Sequence, residues 1–275
     1  MYTAMQREIL KKIRGTATSD GDGVRLTRVI GTPELSDLDP FLLLDEFGSD
    51  DAVDYAGGFP DHPHRGFETV TYMLEGRMRH RDNRGNSGLL ESGSVQWMTA
   101  GRGIVHSEMP EQEDGAMRGF QLWVNLPARD KMSAPRYQDV PPDRIPEVAA
   151  GQGARVRVIA GTFDGSVGPV AGISVDPLYL DVALDAGAAF RAAIPRGHQA
   201  FAYVYEGGIE GVGAGELAVL GDGDEFATTA LQRGARFILV AGRPLREPVA
   251  RYGPFVMNTR SEVLQAVEDF QAGRF

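Results

Sequence analysis

Short apolar or alternating segments recur along the chain and are separated by glycine-rich turns. Each segment is five to seven residues long and rich in valine, tyrosine, phenylalanine and tryptophan, which is typical of β-strands. We predict eight strands from this pattern, over residues 69–75, 94–98, 119–125, 155–160, 178–184, 200–206, 216–220 and 236–241. The fold is therefore predicted to be all-β.

A helical pattern stands out in the last part of the chain. Thr259 and Glu262 have the spacing of a capping box. Apolar side chains then follow at the helical spacing i, i+3, i+4, i+7, and a glycine stands at the exit, at Val263, Ala266, Val267, Phe270 and Gly273. We predict a C-terminal helix that packs on the β body.

An internal repeat indicates two similar units. Residues 66–76 and 197–207 align at a constant offset of 131, and two glycines, a tyrosine and a glutamate coincide in the alignment. The offset is too long for a solenoid repeat, so the repeat indicates a duplicated domain. The proline-rich, charged stretch 127–146 is the candidate connector.

Composition narrows the function classes. The 28 lysines and arginines against 38 acidic residues leave a formal net charge of −10, which disfavours direct nucleic-acid binding. The absence of cysteine excludes disulfides, thiolate metal ligands and a cysteine nucleophile. No apolar run approaches the roughly 18 residues of a membrane span, and residues 1–15 lack an apolar core. We expect a cytoplasmic protein with no membrane or direct nucleic-acid partner.

Four of the five histidines fall between His62 and His106. His62 and His64 form one i, i+2 pair, and His106 and Glu108 form a second. On an extended chain the side chains at i and i+2 point to one face, so each pair can aim two ligands at one point. Three imidazoles and a carboxylate suit Fe(II), Mn(II), Ni(II), Cu(II) or Zn(II) and leave open positions for substrate or dioxygen.

The sequence around these histidines resembles the pirin family of cupin proteins. The matching stretches are residues 62–76, 96–110, 121–126 and 253–259, and the resemblance extends over nearly the whole chain. It implies two tandem cupin (jelly-roll) β-barrels. By this resemblance, residues 1–135 form an N-terminal metal-binding barrel, and residues 136–275 form a metal-free barrel with the closing helix.

The resemblance also implies one divalent metal in the N-terminal barrel. Its ligands map onto His62, His64, His106 and Glu108. We expect Fe(II), with Mn, Ni, Cu or Zn as alternatives. Cupins in general carry the ligand carboxylate at the position of Glu68, whereas the pirin pattern favours Glu108 and leaves Glu68 a supporting role.

The remaining histidines are expected to be structural. At the offset of 131, Ala193 and Pro195 replace His62 and His64, so the second barrel is expected to hold no metal. His198 is expected to be a hydrogen-bonded structural residue. His80 is interpreted as a solvated strand end with a nearby salt link.

Six side chains are candidates for the wall of a substrate cavity beside the metal. They are Phe59, Phe67, Met73, Met98, Gln121 and Trp123. Alternation places Gln121 and Trp123 on one face of their strand, but the pattern leaves open which face is inside.

By resemblance, the predicted activity is that of a quercetin 2,3-dioxygenase. Such an enzyme opens a flavonol ring with dioxygen and releases carbon monoxide, and Glu108 would be the catalytic base that takes the proton of the flavonol 3-hydroxyl. The alternative is a non-enzymatic, iron-dependent redox regulator that acts through a protein partner. A storage cupin without a functional ion is a third hypothesis, which the complete ligand set disfavours.

Overall fold

The computed structural model of the chain describes residues 4–112 and 114–275. Its first twelve strands are β1 (Ile9–Arg14), β2 (Thr16–Asp20), β3 (Val24–Ile30), β4 (Phe41–Ser49), β5 (Phe59–His64), β6 (Phe67–Glu75), β7 (Met78–Asp82), β8 (Ser87–Leu90), β9 (Val95–Thr99), β10 (Ile104–Pro110), β11 (Met117–Asn125) and β12 (Arg136–Val140). The other strands are β13 (Glu147–Ala149), β14 (Ala154–Ala160), β15 (Thr162–Phe163), β16 (Ser166–Val167), β17 (Leu178–Leu184), β18 (Ala189–Ala193), β19 (Gln199–Ile209), β20 (Val212–Gly213), β21 (Glu216–Leu220), β22 (Glu225–Gly242), β23 (Ala250–Tyr252) and β24 (Phe255–Met257). Helix α1 is Arg260–Gln271, and short 3₁₀ helices form at Ala52–Asp54, Ala128–Asp130 and Pro142–Arg144.

The structure confirms the predicted all-β fold, its eight strands and its helix. The predicted strands correspond to β6, β9, β11, β14, β17, β19, β21 and β22. Thr259 is the N-cap of α1, and both hydrogen bonds of the capping box with Glu262 are present. Among the described residues, none of the helices combines enough length with enough apolar character to span a bilayer.

Two of the strands that the hydrophobic pattern did not predict, β1 and β2, lack a clear apolar face. All five residues of β2 are exposed, and β1 buries only Ile13. Backbone pairing holds them in place, since β1 pairs with β21 and β2 pairs with β3. Because their side chains face solvent, apolar alternation could not reveal these strands.

The chain divides into two compact units, and their composition differs from the predicted boundary at 135/136. We call residues 16–142 with 245–275 the histidine unit, and residues 4–15 with 143–244 the apolar unit. Helix α1 therefore belongs with the first barrel rather than the second, because it packs on β23 and β24 of the histidine unit. Likewise β1 belongs to the apolar unit, because it pairs with β21.

The histidine unit is built from two main antiparallel sheets. A seven-stranded sheet has the order β12-β9-β6-β11-β4-β3-β2, and a four-stranded sheet has the order β5-β10-β7-β8. The candidate ligands lie on β5 and β10 of the smaller sheet. Thr71 of β6 and Gln121 of β11 both hydrogen-bond Glu108 of β10, so these faces of the two sheets look into one interior.

The apolar unit contains a nine-stranded sheet whose interior is filled by side chains. Its main path is β1-β21-β19-β22-β17-β14-β13, with β18 and β20 paired to β22 and β19. The buried cluster includes Val156, Leu180, Phe190, Ala202, Phe237 and Leu239. Burial of this apolar surface is the main source of the unit's stability.

The C-terminal segment is tied to the residues that follow His64. The buried Lys131 ammonium donates to the carbonyl oxygens of Gly66 and Val256, at 2.7 and 2.9 Å, and to the Asn125 side chain at 2.7 Å. Gly66 has φ +88°, and a Cβ there would lie 2.0 Å from the Val256 carbonyl oxygen. Only glycine fits this close approach.

Candidate metal centre and adjoining cavity

Three histidines meet where β5 and β10 pair. His62 lies directly opposite His106 in the antiparallel register, and His64 lies two residues along the same strand as His62. The ring centroids are 4.4 Å apart for His62 and His106, 4.6 Å for His62 and His64, and 4.9 Å for His64 and His106. One nitrogen from each ring lies within 4.8 Å of the others, an arrangement that could hold a metal ion.

The donor chemistry of this group fits a metal. His64 and His106 are buried, and none of their four ring nitrogens has a hydrogen-bond partner among the described residues. Buried polar atoms are normally paired, so ring nitrogens without a protein partner fit the role of metal ligands. The Nδ1 of His62 lies 2.8 Å from the Pro60 carbonyl oxygen, which leaves its Nε2 available.

Burial also keeps two of these imidazoles neutral. Desolvation lowers the pKa of His64 well below its ordinary value, and the neighbouring His106 and His62 lower it further. The pKa of His106 is lowered in the same way by burial and by His62 and His80. A neutral imidazole is the form that binds a metal.

Glu108 stands beside the three histidines but outside the group whose donor atoms lie within 4.8 Å. Its Oε1 accepts a hydrogen bond from Thr71 Oγ1 at 2.9 Å, and its Oε2 accepts one from Gln121 Nε2 at 3.1 Å. Thr71 Oγ1 also lies 2.8 Å from Gln121 Oε1. Both oxygens of the buried carboxylate are therefore held by β6 and β11 of the seven-stranded sheet.

A cavity of about 370 Å³ adjoins the histidines. Phe59, Gln121 and Trp123 line it together with His62, His64 and Glu108. The structure thus resolves the open question about β11, because the face with Gln121 and Trp123 is the one that faces the site. The opposite face carries Phe120, which packs on Tyr72.

Three of the six predicted cavity residues do not line this space. Phe67 lies behind the wall, with ring centroids 5.1 Å from His64 and 4.4 Å from Trp123. Met73 and Met98 belong to apolar core clusters. The prediction for Phe67, Met73 and Met98 rests on their apolar character and their position near the motifs, but these side chains fill the core instead.

The other titratable candidates have separate environments. Glu68 accepts a hydrogen bond from Thr99 at 2.7 Å and does not line the cavity, and burial raises its pKa. His198 is hydrogen-bonded, as expected, with its Nε2 3.2 Å from the Asp176 carbonyl oxygen. His80 has an acidic neighbour, with Nε2 3.3 Å from Asp139 Oδ2, but the expectation that it is solvated was wrong, because the side chain is buried.

Sequence reasoning missed the charged residues of the cavity wall. Arg28 holds Asp45 through two hydrogen bonds of 2.9 and 2.7 Å and holds Asp20 through one of 2.8 Å. Arg251 lies over the Trp123 ring, 4.8 Å from its centroid. No motif marks these residues, although Arg28 and Asp45 are direct cross-strand neighbours of β3 and β4.

The chain is similar to known proteins over almost its full length. Residues 23–124 match the family model described as Pirin, and residues 179–275 match the Pirin C-terminal cupin domain. A pirin-like protein of Caulobacter vibrioides is 57% identical over 98% of this chain and 99% of its own length. Pirin of Homo sapiens is 44% identical, over 96% of this chain and 92% of its own.

A solved structure supports the same assignment. The crystal structure of a quercetin 2,3-dioxygenase from Acinetobacter baumannii matches with a TM-score of 0.90 and 33% identity, covering 98% of each chain. This agreement confirms the predicted pair of cupin domains. The chain belongs to the pirin family of two-domain cupin proteins.

Proposed function

We propose that this protein is a metal-dependent dioxygenase that opens the central ring of a flavonol such as quercetin with dioxygen and releases carbon monoxide. The observation that carries the proposal is the three-histidine group, with donor atoms within 4.8 Å, at the wall of a cavity that Glu108 and Trp123 also line. The name of the similar Acinetobacter baumannii enzyme supports the substrate class.

In this proposal His62, His64 and His106 hold the metal, and Glu108 is the fourth ligand. We expect Fe(II). Mn, Ni, Cu and Zn are alternatives, because nitrogen and oxygen donors accept all of these ions. When bound, the metal supplies Lewis-acid and redox chemistry toward a phenolic oxygen and dioxygen. The protein's part is to position the substrate and move its proton.

Glu108 is the proposed base for the substrate 3-hydroxyl. Thr71 has one hydroxyl hydrogen but lies within hydrogen-bond distance of both Glu108 and Gln121. When Glu108 takes the proton, its own O–H can donate to Thr71, whose hydroxyl then donates to Gln121 Oε1. Thr71 and Gln121 therefore accommodate the carboxyl group in either protonation state.

The cavity is suited to a flat aromatic substrate. Its volume of about 370 Å³ lies within the range of small-molecule sites. Trp123 and Phe59 supply aromatic walls, and Gln121 supplies a polar group. We propose that these three residues contact the substrate and exclude bulk water from the reacting oxygen.

The test is oxygen consumption with quercetin after anaerobic reconstitution with Fe(II), Mn(II), Ni(II) or Cu(II). We expect turnover with at least one metal and its loss in His106→Ala. His198→Ala is the matched control, because it removes an imidazole outside the site. If every metal binds and none supports turnover, the dioxygenase proposal fails and the redox-regulator alternative takes its place.

A further inference from the structure

Arg251 is the cavity cation that the proposed chemistry does not use. Its guanidinium lies over Trp123, and Trp123 in turn contacts His64 edge to face, with ring centroids 5.3 Å apart. One aromatic side chain therefore separates the guanidinium from the histidine group. A ligand that touches Trp123 can reach both.

The hydrogen bonds of Arg251 leave much of its donor capacity free. Nε donates to the Gly253 carbonyl oxygen and Nη1 to the Leu42 carbonyl oxygen, both at the long distance of 3.3 Å. A guanidinium has five N–H groups. Three of them have no acceptor in the part of the chain that the structure describes and remain for a ligand in the cavity, and both protein acceptors are neutral.

The second arginine of the cavity differs in this respect. Arg28 is already bound by the carboxylates of Asp45 and Asp20. Within residues 4–112 and 114–275, no carboxylate lies within ion-pair distance of Arg251. Arg251 is an exposed residue of the cavity wall, so its guanidinium is accessible to a charged ligand.

We propose that the cavity selects a planar phenol that carries a carboxylate, with Arg251 binding the carboxylate and the edge of Trp123 in contact with the ring. The guanidinium fork matches a carboxylate in geometry and charge. The phenolic oxygen then faces the three histidines. This inference rests on the proposed function, since it keeps the metal site and the phenolic class, but it names a carboxylated phenol as the preferred substrate in place of quercetin, which carries no carboxylate.

The test is calorimetric titration with caffeate and with methyl caffeate, which share the phenol ring but carry an ionised carboxylate and a neutral ester, respectively. It is run anaerobically on Zn(II)-loaded and on metal-free protein, so the readout is binding and not turnover. We expect caffeate to bind at least ~10-fold more tightly than the ester, as for a charge-assisted pair. Arg251→Gln should remove this preference and leave ester binding within about twofold.

Two further variants make the result specific. Arg251→Lys keeps the positive charge but lacks the paired N–H donors of the guanidinium, so it should retain part of the preference for caffeate over the ester. Arg260→Gln removes an exposed arginine at the start of α1 and should change neither affinity. Equal binding of the two compounds, or a preference that survives in Arg251→Gln, would overturn the inference.

The outcome is separable from that of the proposed function. Loss of the carboxylate preference with intact, His106-dependent quercetin turnover refutes only the role of Arg251. A carboxylate preference without turnover on any phenol supports the binding role and refutes the dioxygenase proposal.

Discussion

The strands β6 and β19 correspond in the sequence repeat but send different side chains into their interiors. In the histidine unit, Thr71 of β6 reaches Glu108 and Gln121. At the offset of 131 its counterpart is Ala202, which lies in the apolar core of its unit. The flanking inward positions also differ, with Thr69 and Met73 in β6 and Ala200 and Val204 in β19.

The neighbouring strands repeat this contrast. Thr71 pairs with Gln121 of β11, whereas Ala202 pairs with Leu239 of β22. Trp123, which faces His64, corresponds by the same register to Ala241. A polar hydrogen-bond network in one interior is replaced by close apolar packing in the other.

The comparison teaches that the strand framework alone does not decide the chemistry. Function lies in side chains placed on a fold, and here the same strand pattern supports either a ligand group or a filled core. The histidine unit keeps buried polar groups that cost stability unless a ligand satisfies them. The interior of the apolar unit is satisfied by its own packing.

The largest expected effect is the loss of metal from one unit only. His106→Ala removes a buried donor from the three-histidine group, so we expect no metal to remain after desalting. His198→Ala removes the imidazole of the apolar unit and should retain the full amount. Metal analysis after loading with Zn(II) measures both, and retention by His106→Ala would refute the ligand assignment.

The next largest effect is a loss of stability when a buried side chain of the apolar unit is truncated. Phe237 is buried and packs edge to face on Phe190, with ring centroids 5.4 Å apart. Phe237→Ala is expected to lower the free energy of unfolding by about 3–5 kcal/mol. Denaturant unfolding checks this value, and a loss below about 1 kcal/mol would contradict the filled interior.

In metal-free protein, replacing a buried side chain of the histidine unit should raise the free energy of unfolding rather than lower it. His106→Leu introduces an apolar side chain in place of a buried ring whose two nitrogens have no hydrogen-bond partner among residues 4–112 and 114–275. We expect the free energy of unfolding to rise by on the order of 1 kcal/mol without metal, and metal-dependent stabilisation to disappear. A clear destabilisation of the metal-free variant would show that His106 has a structural role.

How much the sequence could predict depends on where the information lies. The eight strands were visible because each alternates or is continuously apolar, and α1 because its cap and apolar spacing are local. The exposed β2 carried no such signal. The terminal segments were assigned to units by their order along the chain, whereas their pairing partners lie far away in the sequence.

The site divides in the same way. The three histidines were found because two short motifs contain them. Arg28 and Asp45 are 17 residues apart and meet only through the register of β3 and β4, and Arg251 comes from the far end of the chain. Contacts between residues that are distant in the sequence depend on strand pairing and tertiary packing, and short sequence motifs do not reveal them. The charged part of the cavity could therefore not be predicted.

The smallest expected effect tests how the C-terminal helix supports the metal site. Arg65, the residue after His64, donates from Nη1 to Asp269 Oδ2 of α1 at 2.7 Å and from Nε to the Arg102 carbonyl oxygen at 2.5 Å. Asp269→Asn weakens this support, so we expect roughly tenfold weaker Zn(II) binding in chelator competition. Glu268→Gln, a neighbouring change on α1, is the control and should bind normally.

The same variant should alter the response to acid. Hydrogen bonds from Arg65, then Arg274 and Gln265, hold the pKa of Asp269 below its ordinary value. A carboxylate with a lowered folded-state pKa stabilises the fold above its unfolded pKa of about 3.9, and this contribution is lost as pH falls below that value. In Asp269→Asn the decline in melting temperature between about pH 5 and pH 3 should therefore be shallower than in the wild type. An unchanged slope together with normal Zn(II) affinity would show that the sheets of the histidine unit hold His64 without help from α1, and the contrast between the two units would then rest on the sheet interiors alone.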